Sequence, residues 1–120
     1  MRRLSKLISA FLVTLLSLSQ LAPAAGETAD VKYRGPVPLQ TFECVSTPDS
    51  SFINRICYDA AESYMLVQMR QIYYHYCEVD AATVAAFLSA PSAGKFYNRY
   101  IKGTGSDGPF DCRTRRIPNY

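Results

Sequence analysis

Residues 52–79 read FINRICYDAAESYMLVQMRQIYYHYCEV, and this stretch decides the fold, because its apolar side chains alternate along three runs separated by short breaks. Phe52 to Asp59 puts Asn54, Ile56 and Tyr58 on one side and Ile53, Arg55 and Cys57 on the other. Tyr64 to Arg70 aligns Met65, Val67 and Met69, and Ile72 to Val79 aligns Ile72, Tyr74 and Tyr76. With hairpin turns at both breaks, Ile56, Val67 and Tyr74 lie side by side, as do Tyr58, Met65 and Tyr76. That row is the core side of a three-stranded antiparallel meander.

After Val79 the period changes from two to that of a helix. Asp80 is placed to cap the first turn, Val79 and Val84 occupy the positions of a hydrophobic staple, and Val84, Phe87 and Leu88 form a buried stripe. Pro91 ends this helix. Ser92 caps a second one that runs to Lys102, with Phe96, Tyr97, Tyr100 and Ile101 as its apolar side and Gly103 at its stop. Strands followed by two capped helices predict an α+β fold, with both helices on one sheet face.

The flanks differ in composition from this centre. Arg2, Arg3 and Lys6 precede a mostly apolar run from Leu7 to Leu21 and an Ala22-Pro23-Ala24 cleavage pattern, so residues 1–24 read as an export signal, with the mature chain starting at Ala25. No stable membrane anchor remains after the cut. The whole chain has 13 Lys and Arg against 10 Asp and Glu, but three basic residues lie in the signal and the remainder is formally neutral. Its alkaline pI therefore gives no support for a polyanionic partner. Residues 25–45 carry Gly26, Gly35, Pro36 and Pro38 without an apolar period and read as an extended leader, with a short strand near Cys44 and order beginning near Thr41. Residues 104–120 read as an irregular tail tied down at Cys112.

Cys44, Cys57, Cys77 and Cys112 are an even set in an exported chain, which predicts two disulfides in a periplasmic or secreted protein. A metal site is not indicated, since His75 near Cys77 has no second ligand pair at zinc-site spacing. Cys57 and Cys77 fall on the first and third strands of the meander, about 9–10 Å apart, beyond disulfide reach. Each then joins a cysteine from a flank, on the face opposite the Ile56, Val67 and Tyr74 row. Cys44 with Cys57 and Cys77 with Cys112 is the preferred pairing, and the crossed arrangement stays open. Either one sews the terminal segments across the second sheet face.

The segment from Ser50 to Gly103 resembles the KTSC domain, a short family named for the carboxyl-terminal extension of certain lysyl-tRNA synthetases. The resemblance is carried by Ser50-Ser51, Ile53, Ile56, Tyr58-Asp59, Met65, Val67 and Met69, then Tyr74-His75-Tyr76 and Val79, then Phe87, Ala90, Ser92, Gly94-Lys95-Phe96-Tyr97-Asn98 and Ile101. Tyr74 and Tyr76, with Ser92, Gly94, Phe96, Tyr97 and Asn98, are the specific motif positions. The family's usual turn glycine before Tyr-x-Tyr is replaced by Arg70-Gln71, and its usual proline after the valine by Asp80. The resemblance implies a domain spanning 46–103 and, through the synthetase attachment, a role near RNA.

Candidate ligand-binding residues are Tyr73, His75, Ser92, Gly94, Lys95 and Arg99. Tyr73 and His75 point away from the core row and could stack on a flat partner. Tyr74 and Tyr76 are read as core. Ser92, Gly94 and Lys95 open a helix whose amides could hold an anion, with Arg99 nearby, against the simpler reading of a cap and a close packing contact. His75 is the sole histidine and has no spaced serine or carboxylate, so a catalytic role has no support. Asp59, Glu62, Glu78 and Asp80 read as solvated turn carboxylates, and Arg113, Arg115 and Arg116 as a solvated basic end. The sequence thus points to a non-catalytic binding module without cofactor, its partner a protein or envelope component. Nucleic-acid binding ranks second, and a small hydrolase third.

Overall fold

The computed structural model describes residues 26–47, 50–103 and 108–120. The expected signal, residues 1–24, lies outside them, as do 48–49 in the turn before the meander and 104–107 in the tail. Six strands form one sheet: β1 (Thr28–Val31), β2 (Gly35–Pro38), β3 (Glu43–Ser46), β4 (Ile53–Asp59), β5 (Tyr64–Met69) and β6 (Ile72–Tyr76), in the order β2-β1-β6-β5-β4-β3. The mixed α+β class stands, but the sheet has six strands where the meander alone supplies three.

At its centre the meander has the expected register. Ile56 pairs with Val67 and Val67 with Tyr74, while Tyr58 pairs with Met65 and Met65 with Tyr76. One detail of β4 differs from the alternation read in the sequence. A bulge at Asn54, between the pairs Ile53–Met69 and Arg55–Gln68, resets the pleat, so Ile53 joins Ile56 on the core face instead of opposing it.

The leader is the larger correction. β1 and β2 form a hairpin in which Ala29, Val31 and Val37 are buried, and β1 runs parallel to β6 through the pair Val31–Tyr73. Regular structure among the described residues therefore starts with β1 at Thr28, well before Thr41. Two prolines inside β2 do not forbid it, because β2 is an edge strand and its outward amides need no partner.

Both sheet faces are covered, each by a different part of the chain. On one face Ile53, Ile56, Met65 and Val67 pack against Val84, Phe87, Tyr97 and Ile101 from the helices. On the other, Cys57, Tyr64, Leu66 and Cys77 pack against the β1–β2 hairpin, Leu39 and Cys112. The β1–β2 hairpin and the tail from Gly108 are thus structural parts of the second face; the disulfide Cys77–Cys112 fixes the tail there, and Cys44–Cys57 ties β3 to β4. Cys44 and Cys57 are direct register partners across β3 and β4. The tail adds a buried Pro118, and Arg34 stacks over the rings of Tyr64 and Tyr120 while donating to the Pro118 carbonyl.

The helices follow their sequence signals at the start and depart from them further on. α1 (Ala81–Ser89) begins at Asp80, which accepts from the Thr83 amide at 3.1 Å, and Val79 and Val84 are both buried in the helix-side core. Leu88, expected in the stripe, is 43% exposed, so the buried face of α1 is only Val84 and Phe87 wide. The second helix splits. α2 (Ala93–Phe96) is capped by Ser92, and a π-helical turn, Tyr97–Ile101, follows, closed by the Lys102 amide on the Tyr97 carbonyl at 2.8 Å. Tyr97 and Ile101 face the core and Tyr100 does not. Gly94 sits against the Phe52 ring, where a β-carbon would lie 2.6 Å from Cε1, so close packing alone demands a glycine there.

The β5–β6 turn takes the conformation that its sequence serves least well. Arg70 and Gln71 both have positive φ, 49° and 71°, as a two-residue type I′ hairpin requires. Replacing them with Asn-Gly is expected to raise stability by about 1–2 kcal/mol, since both left-handed positions are relieved. The midpoint of a urea transition measures this, and an unchanged or lowered midpoint would count against the strained-turn account.

Candidate functional site

The alternation of β6 decides what its free edge offers. Ile72 closes the two-residue hairpin with Met69, so Ile72, Tyr74 and Tyr76 direct their backbone groups to β5, and Tyr73, His75 and Cys77 direct theirs outward. β1 takes the first of these, the Lys32 amide donating to the Tyr73 carbonyl at 2.9 Å. The chain then turns away at Lys32–Arg34. The tail takes the last, its Phe110 carbonyl accepting from the Cys77 amide at 2.9 Å. Between those contacts no described residue bonds to the His75 amide or carbonyl.

A cleft of about 680 Å³ occupies this gap, a volume suited to a small ligand or a short peptide. Its floor is Tyr74, His75 and Tyr76 of β6. One wall is Lys32 and Tyr33 from the β1–β2 turn. Another is Tyr97, Ile101 and Lys102 from the π-helical turn, and the third is the tail at Gly108 and Phe110–Arg113.

The cleft is aromatic and cationic. Tyr33 is 86% exposed with a φ of 70°, a left-handed conformation unfavourable for a tyrosine, and the Lys32 ammonium lies 5.3 Å from its ring centre and 5.5 Å from that of Tyr74. Lys32 and Lys102 form no ion pair with any described residue. Deeper in, the Tyr76 and Tyr97 hydroxyls bond to each other at 2.6 Å, and burial holds both phenols above their usual range. Asp111 is bound by Arg113, whose hydrogen bonds hold its carboxyl down at about 2.

His75 bonds through Nδ1 to the buried Tyr64 hydroxyl at 2.7 Å, on the face covered by hairpin and tail. Burial, and then the Arg34 charge, push its pKa below the ordinary value, with Asp111 opposing them. The unfolded chain therefore binds a proton near pH 6.5 that the folded chain refuses until lower pH. Stability is full well above that point and is expected to fall as the pH drops through about 6.5 toward the lower pKa of the folded state, because the unfolded histidine is protonated first. His75→Gln, which keeps an acceptor for Tyr64, should flatten that segment of the pH profile measured by urea denaturation. An equally steep profile in the variant would remove His75 as the cause.

The sequence-selected residues do not form one site. Tyr73 packs against the second-face core and its hydroxyl accepts from Arg55, which is salt-bridged to Glu27. Ser92, Gly94 and Lys95 belong to the cap and packing of α2, against Phe52. Arg99 lies 5.3 Å from the centre of the Tyr100 ring, and Asn98 is exposed. Of the candidates, His75 alone lines the cleft, joined by the motif residues Tyr74, Tyr76 and Tyr97. Tyr74, read as core, is half-buried and open to the cleft. Two further readings change. Asp59 is only 3% exposed and accepts from Thr41 and Tyr120, so it is no solvated turn acid. The basic end is paired, Arg113 with Asp111, Arg115 with Glu78 and Arg116 with Glu62.

Sequence reasoning missed Lys32, Tyr33, Lys102 and Phe110. The signal available was Lys32-Tyr33-Arg34, a basic-aromatic triplet interrupting an otherwise plain leader. Among the described residues no cluster of His, Cys, Asp and Glu could hold a metal, and no helix is long and apolar enough to cross a membrane. Two disulfides fit an oxidising compartment.

These features define a small α+β domain whose terminal segments are stapled over the second sheet face. The family model described as the KTSC domain matches residues 49–104. The chain is also similar to a KTSC domain protein from Yersinia pestis, whose crystal structure has 33% sequence identity, covers 52% of this chain and 89% of its own, and gives a TM-score of 0.49. No curated protein matches. By the family match and that identity, the chain belongs to the KTSC domain family. The β1–β2 hairpin, β3 and the tail from Gly108 fall outside the matched range, so two walls of the cleft are built from segments the family model does not include.

Proposed function

We propose that this chain is an exported, non-catalytic binding module of the periplasm or cell exterior, with the cleft beside β6 as its ligand seat. The observation that carries this reading is the cleft itself, with aromatic walls and two lysine ammonium groups that no described carboxylate neutralises. The engaged state of its other polar groups supports binding over chemistry. The His75 Nδ1 is held by Tyr64 and Asp111 by Arg113, so neither is poised as a general base. Its partner is a protein or envelope component. Nucleic acid ranks lower, since the arginines of the tail are taken up in ion pairs.

A photo-reactive group placed at position 33 tests this in intact envelopes. Adducts are expected from position 33 and not from position 95, which is exposed but does not line the cleft, and Tyr74→Ala should reduce them. No adduct from 33, or equal yield from both, would overturn the reading. Recovery of full-length chain in the cytosol with free thiols would overturn the export half.

A further inference from the structure

Resting on the cleft as ligand seat, we infer that its occupant is a short extended peptide bearing carboxylates, which joins the sheet as a local strand at His75 and is gripped by Lys32 and Lys102.

The backbone argument comes first. Along the outer edge of β6, the Tyr73 carbonyl is taken by the Lys32 amide and the Cys77 amide by the Phe110 carbonyl. His75 lies between them, and no described residue of the hairpin or tail bonds to its amide or carbonyl. One donor and one acceptor thus face the cleft at the spacing of a strand, flanked on each side by a segment that already bonds to the same edge. A peptide laid here completes the row, giving about two residues of strand addition between β1 and the tail. The edge is closed to longer strands by those neighbours, so the site selects a short segment or a chain end.

Side chains then set the chemistry. A strand on this edge sends alternate residues to the two sides of the sheet. On the helix side they meet Tyr74, Tyr76 and Tyr97, and at the rim they come within reach of Lys32 and Lys102, which lack a carboxylate partner among the described residues. Two ammonium groups flanking a slot in which Asp111, itself paired with Arg113, is the one acid among the described lining residues favour an acidic ligand. A single strand of nucleic acid would satisfy the lysines and the rings, but it would leave the His75 amide and carbonyl without a complementary backbone. The peptide accounts for both features.

The probe is a capped hexapeptide of alternating glutamate and threonine, titrated into isotope-labelled, oxidised full mature chain at low salt and followed by amide shifts. Shifts are expected at His75, Lys32 and Lys102. Lys32→Gln and Lys102→Gln should each weaken binding, together by roughly tenfold. The same peptide N-methylated at alternate residues keeps its charge and should also lose roughly tenfold. The inference is overturned if the methylated peptide binds as well as its parent, if oligothymidylate moves these amides more strongly, or if millimolar peptide moves none of them. In each of those cases adducts from position 33 can persist, so failure here and failure of the cleft as a ligand seat are told apart.

Discussion

With Cys77 and Cys112 both changed to alanine, the protein is expected to lose about 3–4 kcal/mol of stability, more than the roughly 3 kcal/mol expected for the Cys44 and Cys57 pair. The difference follows from the loops that each bridge closes in the unfolded chain. Cys77 and Cys112 are separated by 35 residues and Cys44 and Cys57 by 13, so the first pair removes more chain entropy. The local setting reinforces this order. Cys44 and Cys57 are register partners, and the β3–β4 ladder holds them together without the bond. Cys112 anchors a tail that is otherwise held by the Cys77–Phe110 backbone bond, the buried Pro118, the stacked Arg34, the Tyr120–Asp59 contact at 2.9 Å and the exposed ion pairs of Arg115 with Glu78 and Arg116 with Glu62.

Because the tail is also the third wall of the cleft, the same variant should bind the cleft's ligand more weakly than the Cys44 and Cys57 variant does. Urea denaturation monitored by far-UV circular dichroism gives the stabilities. A loss below about 1 kcal/mol for the long-loop pair would mean that non-covalent contacts hold the tail unaided. For a domain of this size, whose whole stability is on the order of 5–15 kcal/mol, the expected loss is a large share.

What the residues disclosed in advance follows from the range of the interactions involved. The meander register was legible because β4, β5 and β6 are joined by short turns, and a period of two fixes which side chains share a face. The Asn54 bulge was not, since one extra residue in a ladder leaves no mark on a run that is already part polar. Both helix starts could be read from Asp80 and Ser92, whose side chains act within their own first turns. Leu88 was misplaced because spacing says which residues share a helix face, but the curvature of the underlying sheet decides how wide a stripe it covers.

The hairpin of the leader was hidden by its glycines and prolines, although Ala29, Val31, Val37 and Leu39 mark its buried side. Its parallel docking on β6 joins positions some forty residues apart, which no local pattern encodes. The cleft has the same cause: its residues come from the β1–β2 turn, β6, the π-helical turn and the tail, and only the disulfide joining Cys77 to Cys112 hinted that the tail returns to β6. The preferred disulfide pairing could be argued beforehand because strand spacing excludes Cys57 with Cys77, and the structure selects it over the crossed alternative.

Phe87→Ala is expected to cost about 3–5 kcal/mol, the range for emptying a large aromatic site in a packed core. Phe87 is 1% exposed and stacks on Phe96 with ring centres 5.3 Å apart and planes 13° from parallel. It is one of only two buried residues on α1, so its loss releases the helix as well as opening a void. It also lies on the face opposite the β1–β2 hairpin and the disulfide-tethered tail, in the part of the chain that the KTSC family model spans. This separates it from the Cys77 and Cys112 variant. Truncating Phe87 should lower protection against hydrogen exchange across β4, β5 and β6, because the helix layer is their cover on that face. Breaking the tail's bridge should lower protection first at Cys77 and the edge of β6. If Phe87→Ala costs less than about 1 kcal/mol, or if its exchange pattern matches that of the tail variant, the two faces of the sheet do not act as separate cores.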